Sequence, residues 1–159
     1  MSRVVVRAAK ATLVFGCILT LVVQLLFIPL IAAETVRGFP EVAYLRWPGI
    51  VGCIAIVICA QVVMVCTWRL LTLVSESSIF APESLRYVDV MVGASLAASA
   101  LFAAAFVTLS AANATGGPGV AFLLIAGTGG SLGIALILSV MRSLLTQATS
   151  FKHELAEVV

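Results

Sequence analysis

Long apolar stretches separated by short polar ones dominate this chain. The first uncharged run lies between Lys10 and Glu34 and has 23 residues, and the second lies between Arg46 and Arg69 and has 22. A third stretch is too long for one helical crossing, and the polar, glycine-rich segment 113–119 divides it into runs of 23 and 22 residues. The chain therefore contains four apolar runs of nearly equal length.

Each run is long enough for one membrane-spanning helix. A helix rises 1.5 Å per residue and needs about 20 apolar residues to cross the hydrocarbon core. A transmembrane β-barrel would instead show alternating segments of about ten residues, a pattern not seen in this sequence. We therefore predict an all-α, polytopic membrane protein, a single domain of residues 1–159 with four transmembrane helices in a bundle. The predicted segments are spans 11–33, 47–68, 90–112 and 120–141, a loop 69–89 and a tail helix 142–159.

Composition agrees with a membrane location. Hydrophobic residues make up 62% of the chain and charged residues 10%, whereas a soluble domain has about 25% charged residues. The first run follows Arg3, Arg7 and Lys10, so a cleaved signal peptide is the alternative interpretation. Its apolar part is longer than the 7–15 residues of a signal peptide, which favours a retained anchor. Cleavage after Ala33 would leave three spans.

Basic residues are distributed unevenly between the two sides of the predicted bundle. Lys and Arg in short loops favour the cytoplasmic side, and tryptophans favour the two membrane interfaces. Trp47 and Trp68 flank the second span, as expected for one full crossing. An arrangement with both termini in the cytoplasm puts two cations outside, Arg37 and Arg46, and seven inside. The seven are Arg3, Arg7, Lys10, Arg69, Arg86, Arg142 and Lys152.

Polar side chains inside the predicted spans are few. No ionisable carboxylate, amine, guanidinium or imidazole falls within a span, which argues against proton-coupled transport, since that requires such a group. Gln24 and Gln61 are the strongest polar groups near the centres of their spans. We expect them to form an interhelical hydrogen bond, and a polar patch along a substrate path is the alternative. Pro29 is expected to kink the first helix.

Small residues are concentrated in the third and fourth spans. Gly129 and Gly133 form a G-x-x-x-G pair, and Gly93 with Ala97 forms a similar pair of small residues. Small residues allow close approach of helices in lipid. The pattern predicts a tight hairpin of spans three and four, with packing within one chain preferred over a homo-oligomer interface.

The sequence contains no recognisable catalytic, cofactor or metal site. A quinone-linked thiol oxidoreductase would need a close cysteine pair near water, but the cysteines of the second span are six and seven residues apart in apolar sequence. The single histidine, His153, has no cluster of metal ligands around it. We therefore expect no enzyme activity, no cofactor, no metal and no nucleic-acid partner. The four cysteines are expected to be structural: Cys17, Cys53, Cys59 and Cys66.

The loop between spans two and three is the longest polar interruption. Phe80, Pro82 and Leu85 are candidate structural anchors, with Phe80 and Leu85 expected to bury against the ends of the bundle or the tail helix. The tail repeats apolar residues at helical spacing, which gives it an apolar side. These residues are Leu144, Ala148, Phe151 and Leu155. Candidate contacts to a partner are the charged residues of the same loop, Glu83, Arg86 and Asp89.

The same loop resembles that of a bacterial family of small four-span membrane proteins, domain-of-unknown-function family 2975. The residues that match are Phe80, Pro82, Glu83, Leu85 and Arg86. Ser84 replaces the usual Asn, Ala81 the usual Ser and Tyr87 the usual second base, while the tail also looks like the family's ending. The resemblance implies a four-span fold in a bacterial cytoplasmic membrane, and it implies no activity.

Taken together, these features favour a non-catalytic accessory or regulatory protein of the cell membrane. It would lie in the lipid bilayer and contact a membrane or cytoplasmic protein through its loop and tail. A small oligomeric transporter or channel subunit that uses Gln24 and Gln61 is the alternative. A membrane thiol oxidoreductase is a third and weaker interpretation.

Overall fold

A computed structural model describes residues 3–38, 40–75, 82–112 and 117–157. Within these ranges, the side chains of 3, 40–42, 74–75, 82–83 and 148–157 are not described. All the regular structure in the described ranges is helical. The helices are α1 (Arg3–Val22), α2 (Ile28–Gly38), α3 (Arg46–Ser75), α4 (Pro82–Ala111) and α5 (Pro118–Glu157). A π-helical segment, Val23–Phe27, joins α1 to α2, and a 3-10 segment, Pro40–Leu45, precedes α3.

Four helical stretches are long and apolar enough to cross a membrane, which confirms the predicted fold class. They are Val4–Gly38, Ala43–Leu73, Ser84–Ala111 and Pro118–Gln147. Each is longer than the predicted span that it overlaps and contains all of that span, except for residue 112 of the third. The predicted loop 69–89 is shorter than expected, because α3 continues to Ser75 and α4 already begins at Pro82.

Proline marks the start of two of these helices. Pro82 begins α4 and Pro118 begins α5. The first residues of a helix have no intrahelical acceptor for their N–H groups, so a proline at this position costs the helix no hydrogen bond. Gly117, immediately before α5, has a φ of 91°. Glycine adopts this left-handed conformation without steric cost, which allows the chain to reverse direction before α5.

The helices pack mainly against their neighbours in the sequence. Within the described ranges, the extensive contacts join α1 and α2 to α3, α3 to α4, and α4 to α5. The contacts run antiparallel: residue 10 meets 68 and 24 meets 61 between α1 and α3, and residue 89 meets 142 and 99 meets 128 between α4 and α5. The order of the helices along the chain is therefore also their order in space, and they form an open row with α1–α2 at one edge and α5 at the other.

The core of the protein lies along α4, which has a helix on each side. One face of α4 carries most of the buried side chains: Ser84, Val88, Met91, Ser95 and Ser99. These residues recur three or four positions apart, so they lie on one side of the helix. Three of the five are serines, whose small size lets neighbouring helices come close.

The two ends of the row differ in charge. The antiparallel order puts the start of α1, the end of α3, the start of α4 and the end of α5 at the same end. We call this the charged end, since it carries Arg7, Lys10, Arg69, Arg86, Asp89 and Arg142. At the opposite end, Arg37 pairs with Glu34 at 3.0 Å within one helix, and both side chains are exposed.

Candidate functional site

The two predicted intramembrane glutamines lie together between α1 and α3. The Gln61 side-chain amide donates a hydrogen bond to Oε1 of Gln24 at 3.2 Å and another to Oγ1 of Thr20 at 3.4 Å. All three side chains are partly buried. We call Thr20, Gln24 and Gln61 the amide cluster. In lipid, a polar group must find a partner within the protein, so these bonds join the two helices.

Gln24 lies in the π-helical segment, directly before Pro29. The backbone N–H of Ile28 bonds to the carbonyl of Val23, five residues earlier, which is the π-helical pattern. Pro29 has no N–H, so it cannot donate a hydrogen bond to the carbonyls one turn before it. The π-helical pattern thus lies on the turn that carries Gln24, and the kink expected at Pro29 stays a prediction.

Thr20 was not identified from the sequence as part of this cluster. Its hydroxyl also donates locally, to the carbonyls of Gly16 and Cys17 at 2.9 and 3.0 Å. The available signal was its position four residues before Gln24, which places both on one helix face. A threonine that bonds its own helix still offers an oxygen lone pair to a neighbouring helix.

Asp89 and Arg142 form an ion pair between α4 and α5 at the charged end. Nη2 of Arg142 donates to Oδ2 of Asp89 at 3.1 Å, and Nε of Arg142 contacts Oδ1. This two-point contact is the planar geometry that favours Arg–carboxylate pairs. The sequence had placed Asp89 on an outward contact surface with Glu83 and Arg86. Asp89 is half exposed, but its carboxylate is bonded to Arg142 of α5 and does not point freely outward.

The remaining loop residues divide between described and undescribed parts of the chain. Arg86 is exposed, and Leu85 is partly buried on the first turns of α4. Pro82 is the first residue of α4. Phe80 and the side chain of Glu83 lie outside the described residues, as do the side chains of Ala148, Phe151 and Leu155 on the tail. The predicted contact of Phe80 with the tail therefore stays a prediction.

A narrow apolar groove separates α1 from α3 between the charged end and the amide cluster. Six residues line it: Leu13, Val14, Cys17, Met64, Val65 and Trp68. Lys10 lies at its mouth, with Nζ 5.5 Å from the centre of the Trp68 ring, a distance typical of a cation–π contact. At the floor, Met64 approaches Gly16, where a Cβ would be 3.3 Å from the Met64 sulfur.

The close approach of α4 and α5 occurs at Gly127. A Cβ at this position would lie 2.8 Å from the ring of Phe102, so a larger residue would collide with that ring. The hydroxyl of Ser99 donates to the backbone carbonyl of Thr128 at 3.1 Å and joins the same two helices. The predicted hairpin of spans three and four is present.

The G-x-x-x-G pair has a different environment from the one expected. A Cβ at Gly129 or at Gly133 would meet no atom of the described chain within 4 Å. The described chain therefore shows no contact that requires glycine at these two positions, and the role of the pair in helix packing stays a prediction. Gly127 contacts Phe102 of α4, whereas Gly129 lines a shallow groove beside Phe106 and Val107 of α4. Packing of this pair against a second copy stays a prediction.

The four cysteines are free thiols at separate places in the first two spans. Cys17 lies 3.8 Å from the sulfur of Met64, Cys66 is buried, and Cys53 is exposed on the outer surface of α3. Within the described ranges, no group of three or more potential metal ligands comes together. The apolar side chains between the helices can hold the helices together and can contact apolar molecules. The polar side chains that are able to form hydrogen bonds or ion pairs lie in the amide cluster and at the charged end.

Comparison with known protein families identifies the family to which the chain belongs. A family model described as "Protein of unknown function (DUF2975)" matches residues 30–159. The chain belongs to the DUF2975 family. The match includes α3, α4 and α5 and both regions that carried the resemblance in the sequence, the 76–89 segment and the tail. No curated protein and no solved structure matches the chain.

Proposed function

We propose that this DUF2975 protein is a non-catalytic accessory or regulatory protein of the cell membrane, and that a partner protein binds its charged end. The observation that carries the proposal is the length of α5. Fifteen residues of α5 follow Arg142, whereas seven residues of α4 precede its ion-pair partner Asp89. At 1.5 Å per residue, α5 runs about 12 Å past the start of α4.

The part of α5 beyond its apolar span is suited to protein contact. The apolar stretch ends at Gln147, and the helix continues to Glu157. We call residues 148–157 the α5 extension. Its sequence repeats apolar residues at helical spacing among charged ones, and an amphipathic helix of this kind binds by burying its apolar face. A partner could supply the surface that covers this face.

The start of α4 supplies charged groups beside the extension. Arg86 is exposed, and the Asp89–Arg142 pair ties α4 to α5 at the base of the extension. We propose Arg86, with Glu83 and the outer edge of Asp89, as the polar part of the contact. Charged residues at the edge of an interface act mainly on specificity and association rate.

The proposed orientation puts the charged end in the cytoplasm. Arg7, Lys10, Arg69 and Arg86 support it, because short basic segments stay on the cytoplasmic side. The partner is then a cytoplasmic protein or the cytoplasmic face of another membrane protein. Bacterial cytoplasmic membrane is the location that the family resemblance implies.

The amide cluster favours this proposal over a transporter or channel subunit. Gln61 donates to both Gln24 and Thr20, so its amide N–H groups serve to join two helices. A substrate path would need polar groups that are available to a solute along the length of the membrane. In the described ranges, the helices also form an open row that encloses no pore within a single chain.

Affinity purification of the full chain from native membranes in a mild detergent tests the proposal. We expect one protein to co-purify in stoichiometric amount with the wild type. Arg86→Glu should reduce its yield several-fold without changing the thermal stability of the purified protein. Arg37→Glu, which changes an exposed cation at the opposite end, is the control and should leave the yield unchanged. A partner that binds both variants equally would contradict a contact at the charged end.

Truncation after Gln147 tests the α5 extension separately. This variant keeps the complete apolar span of α5 and the Asp89–Arg142 pair, so it should remain folded in detergent. We expect it to lose the partner. Retention of the partner by a folded, truncated protein would show that the extension is not the binding element.

A further inference from the structure

The groove between α1 and α3 opens sideways toward the surrounding membrane. Its walls consist almost wholly of apolar atoms, and its volume is about 200 Å³. This is smaller than the 300–1,000 Å³ typical of drug-sized ligand sites. The shape fits one slender apolar chain better than a compact molecule.

The groove lies within one leaflet of a bilayer, since its lining covers residues 13–17 and 64–68, about 6 Å along each helix. Lys10 lies at its mouth and Thr20 of the amide cluster lies beyond its inner end, ten residues further along α1. Ten helical residues span about 15 Å, which is half the thickness of the hydrocarbon core. An acyl chain that enters beside Lys10 would therefore end near the middle of the membrane, at the amide cluster.

The mouth of the groove is positively charged. Lys10 is held over the Trp68 ring, Arg7 lies one helical turn before it on α1, and Arg69 directly follows Trp68 on α3. Among the described residues, none of these three cations forms an ion pair, whereas Arg37 and Arg142 each have a carboxylate partner. Basic groups between helices at headgroup level attract anionic lipid headgroups.

From this combination we infer that the groove binds one anionic phospholipid of the adjacent leaflet. The headgroup phosphate would lie against Lys10 and Arg69, and one acyl chain would fill the apolar groove. The ammonium of Lys10 has three donors and the Trp68 indole has one N–H, so both can bond phosphate oxygens. This site is independent of the partner contact proposed above, because it lies between α1 and α3 and not on α4 or α5.

Native mass spectrometry of the full chain in a neutral detergent tests the inference. The probes are phosphatidylglycerol and phosphatidylcholine with identical acyl chains. We expect one phosphatidylglycerol to bind in preference to phosphatidylcholine. Excess glycerol phosphate, which has no acyl chains, should not displace it. Equal binding of the two lipids, or displacement by glycerol phosphate, would overturn the inference.

Substitutions at the mouth give the quantitative test. One juxtamembrane cation contributes about 1 kcal/mol to binding an anionic surface, so Lys10→Gln should weaken phosphatidylglycerol binding about five-fold. The double variant Lys10→Gln/Arg69→Gln loses two cations, so it should weaken phosphatidylglycerol binding about 30-fold. Arg86→Gln is the matched control, since Arg86 is an exposed cation of the same end on α4. If Arg86→Gln weakened phosphatidylglycerol binding as much as Lys10→Gln, the lipid would be attracted by the charged end in general. That result would contradict a specific site between α1 and α3.

A substitution that fills the groove tests the position of the acyl chain. Val14→Phe adds a ring to the groove wall and should reduce lipid binding several-fold. Ile137→Phe adds the same ring to an exposed position on α5 and is the control. Both variants should keep the thermal stability of the wild type in detergent. Unchanged lipid binding by Val14→Phe would overturn the inference.

Discussion

At the residue scale, Gly127 leads to the sharpest expectation. A Cβ there would be 2.8–2.9 Å from three atoms of the Phe102 ring, well inside van der Waals contact. Overpacking of this kind costs about 1–3 kcal/mol, because the ring or the helix must shift. Gly127→Ala should therefore lower the thermal unfolding temperature of the protein in detergent.

Gly129→Ala and Gly133→Ala are the controls for this substitution. Neither added methyl group would meet an atom within 4 Å, and alanine is a better helix former than glycine. We expect stability equal to the wild type or slightly higher. If Gly127→Ala behaved like these two variants, the close approach of Phe102 would not contribute to packing.

The amide cluster can be tested by a double-mutant cycle. Gln24→Leu and Gln61→Leu should each destabilise the protein by about 1 kcal/mol, because each removes the hydrogen bond between the two amides in lipid. The double variant should lose less than the sum of the two, since no unpaired amide remains. Unfolding measurements in detergent on the four proteins give the coupling energy. Additive losses would contradict a direct bond between Gln24 and Gln61.

The sequence was informative about which polar residues matter, and less so about what they contact. Gln24 and Gln61 stand out because amides are rare in apolar spans, and they do pair. Asp89 and Arg142 are 53 positions apart, so their pairing depends on the register of α4 against α5. Gly127 could not be separated from Gly129 and Gly133 because the sequence does not say which side of α5 faces α4.

At the element scale, the Asp89–Arg142 pair fixes α4 to α5 at the charged end. Both side chains are about half exposed, at 45% and 52%, so the pair should be worth about 0.2–1 kcal/mol and should weaken with salt. Asp89→Arg and Arg142→Asp should each destabilise the protein. The double exchange should recover most of the loss, as measured by thermal unfolding at low ionic strength. Absence of recovery would mean that the two side chains do not interact.

Helix lengths show where sequence patterns stop being predictive. The uncharged runs predicted the number of long apolar helices correctly, because the length of an apolar run is set by the thickness of the bilayer. The ends were underestimated, since charged residues such as Arg69 and Arg86 lie within α3 and α4. A helix does not have to end where the membrane ends, and a charge at headgroup level does not break it.

At the scale of the whole molecule, the orientation in the membrane is the main expectation. In a background where all four cysteines are replaced by alanine, single cysteines at Ser78 and His153 should be labelled only from the cytoplasm. A cysteine at Gly117 should be labelled only from outside, because antiparallel helices put it at the opposite end. Membrane-impermeant thiol reagents on intact cells and on inverted vesicles provide the measurement. Labelling of Gly117 from the cytoplasmic side would contradict the orientation.

The open row of helices also has a consequence for biosynthesis. Since each helix packs mainly against the helix made just before it, every new span can find its partner as soon as it enters the lipid. Proteins rich in local contacts assemble quickly, because little chain entropy is lost before each contact forms. Synthesis from the N-terminus therefore matches the order of assembly: α3 joins α1, α4 joins α3, and α5 completes the row. Of the described helices, α5 leaves the ribosome after the others and carries the extension that is proposed to meet a partner, so partner binding would follow assembly of these helices.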